Sequence, residues 1–425
     1  MDYEAVADLG PDRRRALFER DAGVDAVRSD ARDIVDRVRT EGDVALREFA
    51  SEFDGVEVGN IDVTDQTERA YEAIEDDVRA AIEDAAANIR EFHEAQLPED
   101  WREEFQDGRE LGRRFRPIER VGVYAPGGTA TYPSSVLMGV IPAVVAGVEQ
   151  VAVATPPAEE LNPVTLAAAH VAGADRVYQA GGAQAVGAMA YGTETVDSVQ
   201  KVVGPGNKWV TAAKAEVRGD VDIDFLAGPS ELLVLADETA DPGFVAADLL
   251  AQAEHDPNAS VVAVTDDEGT AAAITEAVEA RIDDRERADT IRDALDSDAS
   301  GVFVARSMSE AVLVAEEYAA EHLSVQADDD EALLDRIDSA GSVFLGGYAP
   351  VAAGDYATGT NHVLPTNGTA KVTGGLSVDT FLRSTTVQRL DRDGLEDLRE
   401  TVTTLADAEG LEGHAASVDA RFEEE

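Results

Sequence analysis

The sequence predicts an α/β protein of two parallel-sheet domains, with small helical elements at both ends. Three observations carry this. At 425 residues the chain is longer than one ordinary core organises. From about Glu119 to Leu345, short β-branched runs alternate with helical stretches, the pattern of strands joined by crossover helices. Hydrophobic residues make up 44% of the chain, which suits large buried cores and excludes a disordered polyelectrolyte.

Residues 1–22 read as a charged helical arm. Between Val27 and Phe49 apolar residues recur at helical spacing, as at Val27, Ile34 and Val38. A second helix steps through Tyr71, Ile74, Val78, Ile82, Ala85, Ile89 and Phe92, with its stop at Leu97-Pro98. Strands follow at Val121–Tyr124, Val151–Ala154, Arg176–Gln179, Ser198–Val203, Ile223–Leu226 and Leu232–Leu235. A second series comprises Ser260–Val264, Gly301–Val304, Leu323–Gln326 and Ser342–Leu345. The expected division falls near Asp237. Residues 119–236 form one α/β domain, 23–118 with 237–375 form the other, and 376–425 form an acidic helical tail domain.

The charge is lopsided: Asp plus Glu number 87 against 35 Lys plus Arg, a net −52. Only four of the basic residues are lysine, namely Lys201, Lys208, Lys214 and Lys371. The acids are spread along the chain, so nucleic acid and anionic membranes are expected to be repelled. A folded protein with an acidic surface suits a high-salt cytoplasm, where a short Debye length screens self-repulsion. No run of 18 apolar residues is present, so no membrane span is expected. The start lacks an apolar stretch behind its charges and is not read as a secretory signal. There is no cysteine, which excludes disulfides, thiolate metal ligands and covalent thiol catalysis, and fits a reducing compartment.

Against this background a few residues could carry chemistry. Gln252 and His255 lie in DLLAQAEHDP, three apart at a helix end, so an amide oxygen and an imidazole could meet one cation. Of the six histidines, His93 and His170 sit in ordinary helical patterns. His322 follows Glu321 where a helix pattern turns into a strand, and the adjacent pair could supply two proton-transfer groups. His362 lies in the turn-rich TGTNHVLPT, seven residues after Asp355, whose small neighbours would let a carboxylate approach a metal. His414 follows Glu409 in EGLEGH. Three glycine-rich turns follow strands: Tyr124–Thr129, Gln179–Gln184 and Val203–Asn207. Backbone N–H groups at such turns favour phosphate, although no GxGxxG fingerprint is present. Lys201, Lys208 and Lys214 bracket the third turn, a clustering that suggests an anionic ligand.

The motifs VYAPGGTATYPSSVLMGVIPAVVAGV, GGAQAVGAMAYGT, VVGPGNKWV, AGPSELLVLAD, DLLAQAEHDP, EHLSVQ, GDYATGTNHVLPT and EGLEGH, in this order, resemble those of the histidinol dehydrogenase family. The resemblance spans residues 25 to 418, nearly the whole chain. It implies oxidation of L-histidinol to L-histidine with two NAD⁺ and one water, the last step of histidine biosynthesis. It further implies two Rossmann-like domains related to aldehyde dehydrogenases, and an intertwined homodimer. By motif, it implies zinc ligands Gln252, His255, Asp355 and His414. Glu321 and His322 become the catalytic pair, and Tyr124, Gln184 and Asn207 the NAD contacts. Substrate contacts are expected at Ser230, Gln252, His255, His322, Asp355, Glu409 and His414. In the family the EGLEGH segment reaches the partner's site, which implies that Glu409 and His414 act in trans.

On this resemblance zinc positions the substrate, His322 takes the hydroxyl proton, and Glu321 activates water on the aldehyde. Two other readings remain beside it: a zinc and NAD dehydrogenase of another amino alcohol, and a metal-binding homologue without activity.

Overall fold

The computed structural model describes residues 3–20, 23–127 and 132–423. They form two compact units. One comprises the chain up to Gln96 with Glu119–Phe381, the other Leu97–Ile118 with the chain from Leu382 onward.

The first unit contains two parallel sheets. The five-stranded sheet runs in the order Arg176–Gln179, Gln150–Thr155, Arg120–Tyr124, Lys201–Val203 and Asp222–Ile223. The six-stranded sheet runs Tyr3–Ala5, Gly301–Val304, Ser260–Thr265, Glu231–Ala236, His322–Gln326 and Ser342–Leu345. Every residue of the strands Glu231–Ala236 and Ser260–Thr265 is buried. Such continuous burial is what helices on both faces of a parallel sheet produce.

Four placements differ from the sequence expectation. First, the strand Glu231–Ala236 pairs with Ser260–Thr265 and His322–Gln326, so the change of sheet falls between Ile223 and Glu231, ahead of Asp237. Second, the helix Val24–Glu41 belongs with the five-stranded sheet. It buries the stripe Val27, Ala31, Ile34, Val35 and Val38 against the helices Gly182–Tyr191 and Lys208–Val217. At roughly 1.5–3 kcal/mol for each large aliphatic side chain buried, that stripe decides where the helix sits. This helix ends at Gly42, in the left-handed region at φ +58°, and a second one, Asp43–Phe49, follows. Third, the N-terminal arm holds a strand, Tyr3–Ala5, paired with Gly301–Val304, before its helix Pro11–Phe18.

The fourth difference concerns the second unit. The strands Trp101–Gln106, Arg109–Pro117 and Leu382–Leu390 form an antiparallel sheet, followed by the helices Arg392–Ala408 and Glu412–Asp419. The tail is therefore not wholly helical. Its strand, LRSTTVQRL, is mostly exposed, so it carries no alternating apolar signal and is held by pairing with a segment about 270 residues earlier.

Residues 224–230 alone link the carboxyl end of Asp222–Ile223 to the amino end of Glu231–Ala236. That short span keeps the two sheet ends close. The turn after Lys201–Val203 is fixed from the same span. Asp224 Oδ2 accepts from Gly204 N at 2.8 Å, and Lys214 Nζ donates to Gly204 O at 2.5 Å and to Asp224 Oδ1 at 2.7 Å. Gly204 has φ +109°, and a Cβ there would lie 2.2 Å from the Tyr124 carbonyl oxygen. Only glycine satisfies both demands. Replacing Gly204 with Ala is expected to cost at least about 1–3 kcal/mol from strain alone. Denaturant unfolding in high salt measures it, and an unchanged midpoint would show that the turn yields freely.

Candidate active site

The strands Glu231–Ala236 and His322–Gln326 lie side by side with His322 opposite Leu232. This places Glu231, Glu321 and His322 together at the amino ends of the strands. Crevices at carboxyl ends are the usual ligand sites of open α/β sheets; these candidates lie at the opposite, amino end of the six-stranded sheet.

One residue docks both proton-transfer candidates. Glu231 N donates to Glu321 Oε2 at 2.8 Å, and Glu231 O lies 3.1 Å from His322 Nδ1. A carbonyl only accepts, so Nδ1 carries the proton and Nε2 is left as the basic atom. Nε2 stands 3.5 Å from Asp355 Oδ1, on the helix Val351–Tyr356. Burial disfavours charge on His322, but Glu321 and Asp355 outweigh it and raise its pKa. Burial also raises Glu321, against the pull of His322 and of the Glu231 N–H. Asp355 is desolvated too, yet the nearby His322 imidazole holds it low.

Asp355 is bordered by further imidazoles. His362 Nδ1 lies 3.2 Å from the Asp355 carbonyl, and its Nε2 lies 3.0 Å from Ser135 Oγ. His255, just past the helix Pro242–Ala253, interacts electrostatically with Asp355 and His322. His255 is exposed, yet partial desolvation lowers its pKa and favours the neutral form that a metal requires. Gln252, three residues earlier, is buried with no partner for Nε2. An imidazole nitrogen, a carboxylate and an amide oxygen are donor types that zinc accepts, but no group of three His, Asp or Glu among the described residues is gathered closely enough to hold a metal ion. Ser230 is half-buried immediately before Glu231. Glu409 and His414 belong to the second unit, where both are exposed around the turn between its two helices.

The nucleotide-site candidates gather at the carboxyl ends of the five-stranded sheet. Strand order reverses there between Arg120–Tyr124 and Lys201–Val203, the kind of switch point at which such sheets bind ligands. Tyr124 is buried, its hydroxyl accepts from Gly182 N at 3.0 Å, and burial pushes it up to about 12, so it stays neutral and keeps a proton to donate. Gln184 is buried in the first turn of the helix Gly182–Tyr191. Asn207 is exposed and caps the helix Lys208–Val217, accepting from Trp209 N at 3.0 Å and Val210 N at 3.3 Å. A cleft of about 490 Å³ lies alongside, lined by Gly127, Thr155, Pro156, Leu161 and Asn162 among others. Gly128 and Thr129 of the first glycine turn lie outside the described residues.

The lysine cluster serves a different end from the one expected. Lys214 is buried on Asp224 and Gly204, and Lys201 donates to Thr380 O at 2.6 Å and pairs with Asp222 at 2.9 Å. Two of the three ammonium groups thus brace the backbone and are not free for an anion.

Comparison with known proteins fits this arrangement. The sequence pattern of histidinol dehydrogenase matches residues 18–422. The chain belongs to the histidinol dehydrogenase family. A histidinol dehydrogenase of Halobacterium salinarum is 86% identical over 425 residues, covering 100% of both chains. The crystal structure of histidinol dehydrogenase from Elizabethkingia anophelis superposes with a TM-score of 0.93 at 37% identity, over 99% of this chain and 98% of that one. An acetylating aldehyde dehydrogenase from Geobacillus thermoglucosidasius shares the fold alone, at TM-score 0.51 and 13% identity, over 90% of this chain and 97% of that one.

In this member of the histidinol dehydrogenase family, sequence reasoning missed Glu231 and Arg20. Glu231 had a visible signal, a lone carboxylate heading the apolar run of AGPSELLVLAD. Arg20 had none, because its partner lies 211 residues away. His362 was noted, but its place beside Asp355 was not legible.

The raised pKa of His322 makes a prediction. In metal-free protein its NMR titration midpoint should lie well above the ordinary imidazole value of about 6.5. Asp355→Asn removes one raising charge, so the midpoint should fall. A midpoint indifferent to that change would contradict the contact drawn here.

Proposed function

We infer that this oxidoreductase is an active histidinol dehydrogenase that converts L-histidinol to L-histidine through the aldehyde, in histidine biosynthesis. The observation that carries the reading is the docking of Glu321 and His322 on the main chain of Glu231, in a chain matched throughout by that family. Dehydrogenation of another amino alcohol and loss of activity are not favoured, since the likeness to histidinol dehydrogenases covers the full chain and every expected site residue is present.

In this reading Gln252, His255, Asp355 and His414 hold zinc. When bound, the metal supplies positive charge that orients the nitrogens of the substrate and balances Asp355. His322 would act as the base through Nε2, because its Nδ1 is held on the Glu231 carbonyl. His322 then takes the hydroxyl proton while the carbinol carbon gives a hydride to the first NAD⁺. Glu321 takes a proton from water as the oxygen adds to the aldehyde carbon, giving the hydrate as its anion. That anion releases a second hydride to a second NAD⁺, and the carboxylic acid so formed loses its proton to solvent. No cysteine is present to form a thioester, so water is the only nucleophile this route needs.

Tyr124, Gln184 and Asn207 contact NAD at the switch point. Ser230, Gln252, His255, His322, Asp355, Glu409 and His414 contact the substrate. The exposure of Glu409 and His414 supports their service to the second subunit of a homodimer. The setting proposed is a salt-rich cytoplasm holding the NAD pool, supported by the net charge of −52. No helix among the described residues is long and apolar enough to cross a membrane.

Purified enzyme in high salt with L-histidinol, NAD⁺ and Zn²⁺ is expected to yield about two NADH per histidinol, and a chelator should abolish the reaction. A ratio of one, or indifference to chelator, would refute the route. His322→Asn should slow the alcohol step far more than oxidation of supplied histidinaldehyde; equal losses would remove His322 as first base. For the dimer, inactive Glu321→Gln and His414→Asn proteins can be mixed and reassembled. Action in trans gives each mixed dimer one intact site and recovers about a quarter of wild-type activity; no recovery would mean that the site is built in cis.

A further inference from the structure

We infer that the buried pair Arg20–Glu231 is a positioning device that holds Glu321 and His322 in their working geometry. The inference rests on the reading of those two residues as the proton-transfer groups.

The pair is closed off from water: the side chains of Arg20 and Glu231 are 5% and 1% exposed. Arg20 Nε donates to Glu231 Oε1 at 2.7 Å, and a terminal nitrogen donates to Oε2 at 3.0 Å. Desolvating two such charges offsets most of their attraction, so a buried pair adds little stability over a well-packed apolar one. What a forked, two-bond grip does supply is orientation.

That orientation acts where the backbone needs it. The same Arg20 nitrogen donates to Tyr318 O at 2.8 Å, and its guanidinium sits 3.8 Å from the centre of the Tyr318 ring. Ala319 follows in the left-handed region at φ +50°, strained for a residue with a Cβ. Two residues on, Glu321 N donates to Glu231 Oε2 at 3.4 Å. The strained turn is thus gripped by Arg20 at its start and by Glu231 at its end. Glu231 Oε1 also receives Asn367 N at 2.7 Å, and Asn367 is itself left-handed at φ +56°. With its carboxylate held on three sides, Glu231 presents a fixed N–H to Glu321 and a fixed carbonyl to His322.

Arg20→Lys and Glu231→Asp keep both buried charges, so folding should survive while the grip changes. Each is expected to lower kcat about tenfold or more, with histidinol and with supplied histidinaldehyde alike, as displacement of reacting groups by a fraction of an ångström does. Histidinol affinity in the presence of zinc, read by calorimetry, should stay within about two-fold of wild type. The neutral double variant Arg20→Met/Glu231→Gln should show the same kcat loss, because it lacks the grip altogether. Conservative variants with wild-type kcat, or a loss confined to affinity, would overturn the positioning role. A wild-type enzyme that makes no NADH from histidinol would instead overturn the functional reading, and this inference with it.

Discussion

The chain has seven residues, 224–230, in which to pass from one parallel sheet to the other. That constraint sets where chemistry can happen. It brings the carboxyl end of the five-stranded sheet near the amino end of the six-stranded one, and fixes both through adjacent residues. Asp224 opens the span and clamps Gly204; Ser230 closes it and leads into Glu231. The residues proposed to bind the nucleotide at the first sheet and the substrate at the second are thereby kept within the reach of one short span, as the proposed hydride transfer requires.

Much of this was legible in the sequence, for identifiable reasons. Strands such as ELLVLA and SVVAVT are apolar on both faces and announce a covered parallel sheet wherever they lie. Partners were not legible. The helix Val24–Glu41 shows an apolar stripe but not which sheet receives it, and Leu382–Leu390 is a strand only because Arg109–Pro117 pairs with it. Glu321, His322 and Asp355 could be named from motifs, whereas the docking of Glu321 and His322 on one main-chain residue is a three-dimensional fact. The lysines misled because composition counts charges without saying which are already paired.

The surplus of acid divides into two populations. Most carboxylates face solvent, where concentrated salt screens their repulsion. A few, such as Glu231, Glu321 and Asp224, lie inside and answer to fixed partners. Salt reaches the first group and hardly touches the second. The charge on the surface and the charge inside the fold therefore respond independently to salt.

The small strand Tyr3–Ala5 closes one rim of the six-stranded sheet against Gly301–Val304. Its timing is awkward. These residues leave the ribosome well before their partner: Val302, opposite Tyr3, is made 299 residues later (302 − 3). At about 5–20 residues per second the strand waits roughly 15–60 seconds for its neighbour. Until it docks, the apolar GVFV edge offers unpaired backbone to any passing strand, the usual start of aggregation. The earliest-made strand of this sheet thus guards an edge that is itself made much later.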